Sequence, residues 1–155
     1  MLYCNKGESN MYKALDIAKY IISKGTNDGE PISNLQLQKI LYYIQSEFLQ
    51  SRNNVAFDDD IEAWQFGPVV PNVYYYFCGY GAMKIMNYYD EDFSLNYEDR
   101  QIIDKIIIEK RDMDPWQLVE ETHRAGGAWD KTYKKGFGNR EVISIALIKQ
   151  EIANA

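Results

Sequence analysis

Apolar residues recur at helical spacing in several segments of the chain, and polar residues, glycine and proline separate these segments. The first stripe follows the helical period of about 3.6 residues and consists of Met11, Ala14, Leu15, Ala18, Ile21 and Ile22. Asn10 can cap such a helix at its start, and Gly25 can end it. The pattern therefore predicts a first helix between these two residues.

The second helix has a sharper start signal. Ser33 and Gln36 have the spacing of a capping box, and Ile32 and Leu37 occupy the two positions of a hydrophobic staple. The apolar stripe behind them consists of Leu37, Ile40, Leu41, Ile44 and Phe48. We predict a helix over residues 34–50.

Apolar and polar residues alternate over residues 61–66, which predicts a short strand or extended segment ended by Gly67 and Pro68. Strict alternation places Trp64 on the face of Glu62. We nevertheless predict that Trp64 is largely buried, through a bulge or because both faces of the sheet are covered.

Four further helix starts follow from local signals. They are Pro71 with Asn72, Asn96, Asp114 with Pro115 and Gln117, and Ser144 between the staple residues Ile143 and Ile148. Gly126 and Gly127 are expected to end the helix that starts at Asp114. The chain is thus predicted to be mostly α, a helical bundle of about six helices in one domain over residues 1–155, with a short β element near Trp64.

Charge and composition exclude several classes. Seventeen basic and 23 acidic residues give a formal net charge of −6, which argues against nucleic-acid binding and is compatible with a basic protein partner. Cys4, Cys78 and His123 are too few for a structural zinc site, and no cofactor motif is present, so we expect no metal and no cofactor. The chain shows neither a signal-peptide pattern nor a membrane-spanning run, so we expect a cytoplasmic protein with two reduced cysteines.

Two interpretations of His123, the only histidine, stay open at this point. It can cap a helix or sit hydrogen-bonded in the core, or it can serve a small cytosolic enzyme of unknown reaction together with nearby acids. Those acids are the groups at residues 58–60, 90–92 and 120–121, which are more typical of a solvated face.

Tyrosine is unusually frequent, with 13 residues that include neighbours at 42–43, 74–76 and 88–89. Adjacent helical positions point about 100° apart, so not every ring of a cluster can be buried. The exposed rings either border the core or belong to a protein interface, where tyrosine is enriched. Tyr74, Tyr75 and Tyr76 are therefore candidate partner-binding residues.

Three motifs resemble those of a known family. Residues 35–45, LQLQKILYYIQ, resemble L-x-K-L-L-Y-Y-x-Q, and residues 57–81 resemble I-x-A-W-x-x-G-P-V-x-x-x-V-Y with a closing Y-G. Thr122, His123 and Trp129 resemble T-H-x-x-x-x-x-W, and residues 143–152 resemble a final helix. The family is the Panacea domain, which includes SocA-type antitoxins and GepA-type phage-associated proteins. Its signature falls here on Leu37, Leu41, Tyr42, Tyr43, Trp64, Gly67, Pro68, Val69, Tyr74, Tyr80, Gly81, Thr122, His123 and Trp129.

The resemblance implies a prophage-associated antitoxin that is not an enzyme and that neutralises a cognate toxin by direct binding. It also implies that such a protein can act as a proteolytic adaptor, which delivers the toxin to a bacterial protease. Ala128 departs from the usual proline before the tryptophan, and residues 152–153 lack the usual aromatic.

The signature residues have mostly structural expectations. Trp64 and Trp129 are expected to anchor the core, and Gly67 and Pro68 to form the turn into the helix at Pro71. Lys39 lies off the apolar stripe of its helix. It is expected either to face solvent or to contact the partner.

Overall fold

Seven α-helices and two small antiparallel sheets form residues 11–155, the part of the chain that this computed structural model describes. The mostly helical fold predicted from the sequence is confirmed. The helices are α1 (Ala14–Asn27), α2 (Asn34–Arg52), α3 (Pro71–Phe77), α4 (Tyr97–Arg111), α5 (Pro115–Thr122), α6 (Ala128–Tyr133) and α7 (Ile145–Ala153). The strands are β1 (Ile32–Ser33), β2 (Glu62–Trp64), β3 (Gly67–Val69) and β4 (Lys84–Ile85), and 3-10 turns lie at Cys78–Tyr80 and Lys134–Gly136.

Helix α2 runs through the centre and packs against α1, α3, α4, α5 and α7. The capping box at its start is confirmed, because Gln36 N donates to Ser33 Oγ (3.3 Å) and Ser33 N donates to Gln36 Oε1 (3.0 Å). The helix begins at Asn34 as predicted and ends at Arg52, two residues beyond the prediction.

Polar side chains of α2 hold the irregular segments around it. Gln45 accepts a hydrogen bond from Ala56 N and donates one to Phe57 O, both at 2.8 Å. Gln38 accepts from Val70 N at 2.9 Å, just before α3. Buried backbone groups need hydrogen-bond partners. The side-chain amides of Gln38 and Gln45 supply these partners to the connecting segments and so hold the segments against α2.

Helix α1 begins later than predicted. Its first residue is Ala14, Met11 lies outside it, and Asn10 lies outside the described residues. Ala14 N donates to Asp59 Oδ1 at 3.0 Å, so a carboxylate from a distant loop stands at the positive end of the helix dipole. Helix α1 continues past Gly25, which was expected to end it, to Asn27.

Strands β2 and β3 form a hairpin in which Ala63 pairs with Pro68 and Trp64 with Gly67. Gly67 and Pro68 are therefore strand residues, and the turn lies at residues 65–66. The prediction that Gly67 and Pro68 form the turn into the next helix was wrong, because both residues pair across the hairpin before α3 starts at Pro71.

Trp64 is only partly buried and lies outside the hydrophobic core, so it does not anchor the core as predicted. Ala63 is fully buried, whereas Trp64 and Glu62 are half-buried on the opposite face, where Trp64 Nε1 donates to Glu62 Oε1 at 3.0 Å. The two-residue period of the strand decides the side on which the ring lies.

The predicted caps at Asn96, Asp114 and Ser144 are confirmed. Helix α5 ends at Thr122, four residues before the predicted glycine stop, and α6 was not predicted. Strand β4 was also missed; it pairs with β1 through Ile32 and Ile85. Within residues 11–155, no helix has both the length and the apolar composition needed to cross a bilayer.

Candidate partner-binding groove

A groove of about 580 Å³ lies beside the first half of α2, between the β2–β3 hairpin, the 3-10 turn after α3, the start of α5 and the segment after α6. Aromatic rings and one arginine dominate its lining: Trp64, Phe66, Tyr74, Trp116, Tyr133 and Arg140. No aspartate or glutamate of residues 11–155 lines it. We refer to this site as the aromatic groove.

Phe66 and Trp116 form one wall of the aromatic groove. Their rings meet edge to face with centroids 5.4 Å apart, yet they remain 47% and 56% exposed. Phe66 lies in the hairpin turn, and Trp116 lies in the first turn of α5. The backbone N–H of Trp116 donates to the side chain of the cap residue Asp114 at 2.9 Å. The local backbone thus holds two large rings at the surface.

Arg140 and Trp64 form a second part of the lining. The guanidinium carbon of Arg140 lies 4.3 Å from the centre of a Trp64 ring, and its Nη1 donates to Tyr75 Oη at 3.0 Å. Arg140 has a φ of 68°, which is rare for a residue with a side chain. The backbone N–H of Arg140 donates to Ala63 O at 2.7 Å. This bond to β2 holds the backbone in its left-handed conformation and so positions the side chain.

Lys39 lies beneath the floor of the groove and is fully buried. The expectation that it faces solvent was wrong, because the β2–β3 hairpin covers this side of α2. Its Nζ donates to Pro68 O at 3.1 Å, and no carboxylate in residues 11–155 lies within 4.0 Å of it. Burial lowers the pKa of Lys39 to about 7.

Gly67 makes the burial of Lys39 possible. Its φ is +113°, and a Cβ at this position would lie 2.8 Å from both Lys39 Cε and Thr122 Oγ1. Such approaches are below contact distance, so only glycine lets the strand pass this close. Residues from the three sequence motifs, Lys39, Gly67 and Thr122, therefore meet at one point under the groove.

His123 stands next to this point, stacked on Trp129 with ring centroids 3.6 Å apart. Burial, and then the charge of nearby Lys39, lower the pKa of His123. Its Nε2 is buried without a hydrogen-bond partner, while its backbone N–H caps α5 by donating to Val119 O. Thr122 Oγ1 also donates to Val119 O, at 2.9 Å, and so does not point its proton at the imidazole.

The expectation that Trp129 anchors the core is confirmed. Its side chain is 7% exposed, and Nε1 donates to Trp64 O at 2.8 Å. Trp129 thereby connects α6 to the hairpin that carries the groove wall.

The tyrosine clusters divide between structure and surface. Tyr42 donates to Glu151 (3.0 Å) and Tyr43 to Glu121 (2.6 Å), and burial followed by these contacts raises the pKa of both phenols. These two tyrosines tie α2 to α7 and α5.

The three candidate partner-binding tyrosines do not form one patch. Tyr74 is half-buried against Trp64 in the groove, and Tyr75 is 54% exposed at its rim beside Arg140. Tyr76 is also exposed but lies towards α1, where Lys19 Nζ is 5.6 Å from its ring centre.

The other signature residues are buried or lie beside the groove. Leu37 and Leu41 are fully buried, and Val69 is buried in β3. Tyr80 accepts a hydrogen bond from Asn87 at 2.6 Å, and Gly81 lines the groove with a φ of +56°.

Sequence reasoning missed Phe66, Trp116 and Arg140. A tryptophan directly after a capping Asp-Pro pair is a detectable sign of an exposed ring, since the first turn of a helix leaves several positions open to solvent. Arg140 gave no local signal, because its contact with Trp64 depends on how a distant segment docks on β2.

No group of three or more His, Cys, Asp or Glu that could hold a metal ion occurs in residues 11–155. Cys78 is a free, exposed thiol at the groove, and Cys4 lies outside the described residues.

Comparisons with known proteins give a consistent result. Residues 37–130, more than half of the chain, match the family model described as "Antitoxin SocA-like, Panacea domain". The chain is also 33% identical over 125 residues to "Antitoxin SocA" of Caulobacter vibrioides (strain NA1000 / CB15N). That match covers 74% of this chain and 66% of the relative, so the chain spans slightly less than two thirds of its length. No solved structure matches the chain.

Proposed function

The chain belongs to the SocA-like Panacea domain family, and on that premise we propose that it is an antitoxin. It neutralises a toxin protein by binding it directly. In this proposal residues 1–155 form a single Panacea-like domain. The similarity to the Caulobacter antitoxin SocA supports the antitoxin role. The observation that carries the proposal of direct binding is the aromatic groove, where Phe66 and Trp116 stay about half exposed although they touch each other.

The composition of the groove is that of a binding surface. Tryptophan, tyrosine and arginine are the residue types that contribute most to binding energy when they lie at the centre of an interface. The groove contains all three types in fixed positions, since Trp64 and Arg140 are stacked and Trp116 sits at a capped helix start. A partner that covers these rings would remove a large apolar area from water.

The test is co-expression in a bacterial host with the toxin, which we expect the adjacent reading frame to encode. We expect the chain to restore growth and to co-purify with that product. Trp116→Ala combined with Phe66→Ala should lose both effects. Tyr97→Ala serves as the matched control, because Tyr97 is an exposed aromatic residue at the start of α4 and lies outside the groove.

His123→Ala separates binding from chemistry. In a folded variant we expect full protection, because neutralisation by contact needs no proton transfer. Loss of protection while the complex still forms would instead favour the enzyme hypothesis, in which His123 acts with nearby acids, and would overturn neutralisation by binding.

Delivery of the toxin to a bacterial protease is a further proposal, which the family resemblance supports. The level of toxin in the same co-expression distinguishes delivery to a protease from neutralisation by binding alone. Neutralisation by binding alone leaves the toxin level unchanged, whereas an adaptor lowers it in a host with the protease and not in a host without it.

A further inference from the structure

The lining of the aromatic groove differs in charge from the chain as a whole. Acidic residues outnumber basic residues by 23 to 17 in the chain, yet none of the acidic residues between positions 11 and 155 lines the groove. Among residues 11–155, the basic side chains of its lining are Arg140, whose guanidinium stays protonated, and Lys39, which lies beneath the floor. An occupant of this groove therefore meets positive charge on a protein of net charge −6.

The guanidinium of Arg140 has N–H donors that make no hydrogen bond within residues 11–155. A guanidinium has five N–H donors, and in residues 11–155 Arg140 uses Nη1 for Tyr75 while no carboxylate lies within 4.0 Å of it. The Trp64 ring covers one face of the guanidinium, so its edge remains for a ligand. Planar donors at a fixed edge suit the two oxygens of a carboxylate.

Lys39 adds to this preference from beneath the floor. In residues 11–155, its Nζ has a single acceptor, the carbonyl of Pro68. A negative charge in the groove would favour the protonated amine, whose cost of burial it would partly offset.

The rings of Phe66 and Trp116 set the second requirement. Phe66 and Trp116 form an apolar wall of the groove, and Tyr74 of α3 packs against Trp64. A side chain that fills the space between these rings must be apolar or aromatic, since an unpaired polar group would lose its water there.

We propose that the aromatic groove binds a peptide segment of the toxin in which a carboxylate is followed or preceded closely by an apolar or aromatic side chain. Arg140 takes the carboxylate, with Lys39 supporting it, and the apolar side chain packs against the wall formed by Phe66 and Trp116. This inference rests on the proposed antitoxin function and specifies the chemistry that its partner presents.

The test uses the full chain and a phage-displayed library of random peptides. We expect enrichment of peptides with Asp or Glu one to three positions from Phe, Trp or Leu. A synthetic peptide of the enriched sequence should lose roughly tenfold or more in affinity on Arg140→Gln, as for a hydrogen bond between charged groups. Arg100→Gln is the matched control, because Arg100 is an exposed arginine outside the groove.

A double-mutant cycle identifies the contact. Replacing the peptide's carboxylate by its amide should cost about as much as Arg140→Gln, and combining the two changes should cost little more. Arg140→Lys should fall between wild type and Arg140→Gln, since lysine keeps the charge but loses the two-pronged geometry. Thermal unfolding of each variant verifies that it is folded.

Several outcomes would overturn the proposal. They are a library that enriches nothing, enriched peptides without an acidic residue, and binding that Arg140→Gln leaves unchanged. Self-association of the wild type that disappears in Trp116→Ala would show that a second copy covers the groove and would also overturn it.

The co-expression test keeps this inference separate from the proposed function. If the wild type protects the host and Arg140→Gln protects equally well, the groove proposal fails and the antitoxin proposal stands. If the wild type itself gives no protection, the antitoxin proposal fails whatever the library shows.

Discussion

Lys39 is a buried amine whose charge the fold does not neutralise with a carboxylate. Burying an unpaired ammonium is costly, so the group responds by releasing its proton more easily. Its pKa is lowered to about 7 by burial, and the carbonyl of Pro68 accepts the one hydrogen bond it makes. The charge under the groove therefore changes near neutral pH.

This low pKa predicts a pH-dependent stability. Between the lowered value of about 7 and the ordinary lysine value of 10.5, the unfolded chain binds the proton and the folded chain does not. Stability must then rise with pH in this window. From about pH 7 to about pH 9, the free energy of unfolding of the wild type should gain about 2 kcal/mol relative to Lys39→Met.

Urea unfolding of both proteins at several pH values measures this difference. Staying below about pH 9 keeps the tyrosines protonated, so they add nothing to the comparison. A constant difference between wild type and Lys39→Met over this range would contradict a lowered pKa at Lys39.

Arg140 illustrates strain at a single residue. A left-handed backbone costs a residue with a Cβ about 1–2 kcal/mol, which glycine does not incur. We expect Arg140→Ala to be about 1 kcal/mol less stable than Arg140→Gly. Both variants lose the guanidinium, so both should lose peptide binding equally, and thermal unfolding beside a binding measurement checks the two effects. Equal stability of the two variants would show that the φ of 68° carries no strain.

The helices differ in how far their ends could be predicted from sequence. Helices α2, α4, α5 and α7 are capped by the residue just before them, at Ser33, Asn96, Asp114 and Ser144, so local spacing located their starts. Helices α1 and α6 have no such cap. Their first N–H groups bond to carboxylates far away in the chain, Asp59 and Glu151, which no local pattern reveals.

Glu151 should therefore matter more than a surface acid does. Its Oε2 accepts from Ala128 N (2.8 Å) at the start of α6, and its Oε1 accepts from Tyr42 (3.0 Å) on α2. Glu151→Ala leaves the buried phenol and the helix start unsatisfied, so we expect a loss of about 1–3 kcal/mol in the free energy of unfolding. Gln150→Ala is the control; Gln150 is exposed and bonds only to Lys131, so its loss should stay within about 0.5 kcal/mol. Equal effects of the two substitutions would show that Glu151 does not organise α6.

At the scale of the whole molecule, the groove unites segments that are remote in sequence. Trp64 and Phe66 come from the hairpin, Trp116 from α5 and Arg140 from the segment that docks beside β2. Sequence patterns predicted the hairpin strand and the start of α5 but not their meeting. The tyrosines at 74 and 75 were singled out because three adjacent rings cannot all be buried, which is a local argument. Arg140, which contacts both Tyr75 and Trp64, could be identified only from the tertiary structure.

The distribution of charge predicts how a toxin would associate. The net charge of −6 acts at long range on the whole partner, whereas the cationic groove acts on one segment after contact. For a toxin of net positive charge, we expect the association rate constant to fall several-fold from about 50 to about 500 mM NaCl, because salt screens the attraction. Arg140→Gln should instead mainly raise the dissociation rate constant, since its contact forms only in the complex. Surface plasmon resonance with immobilised toxin resolves both constants. An association rate that salt leaves unchanged would show that the net charge does not steer this encounter, and an unchanged dissociation rate for Arg140→Gln would remove the groove from the interface.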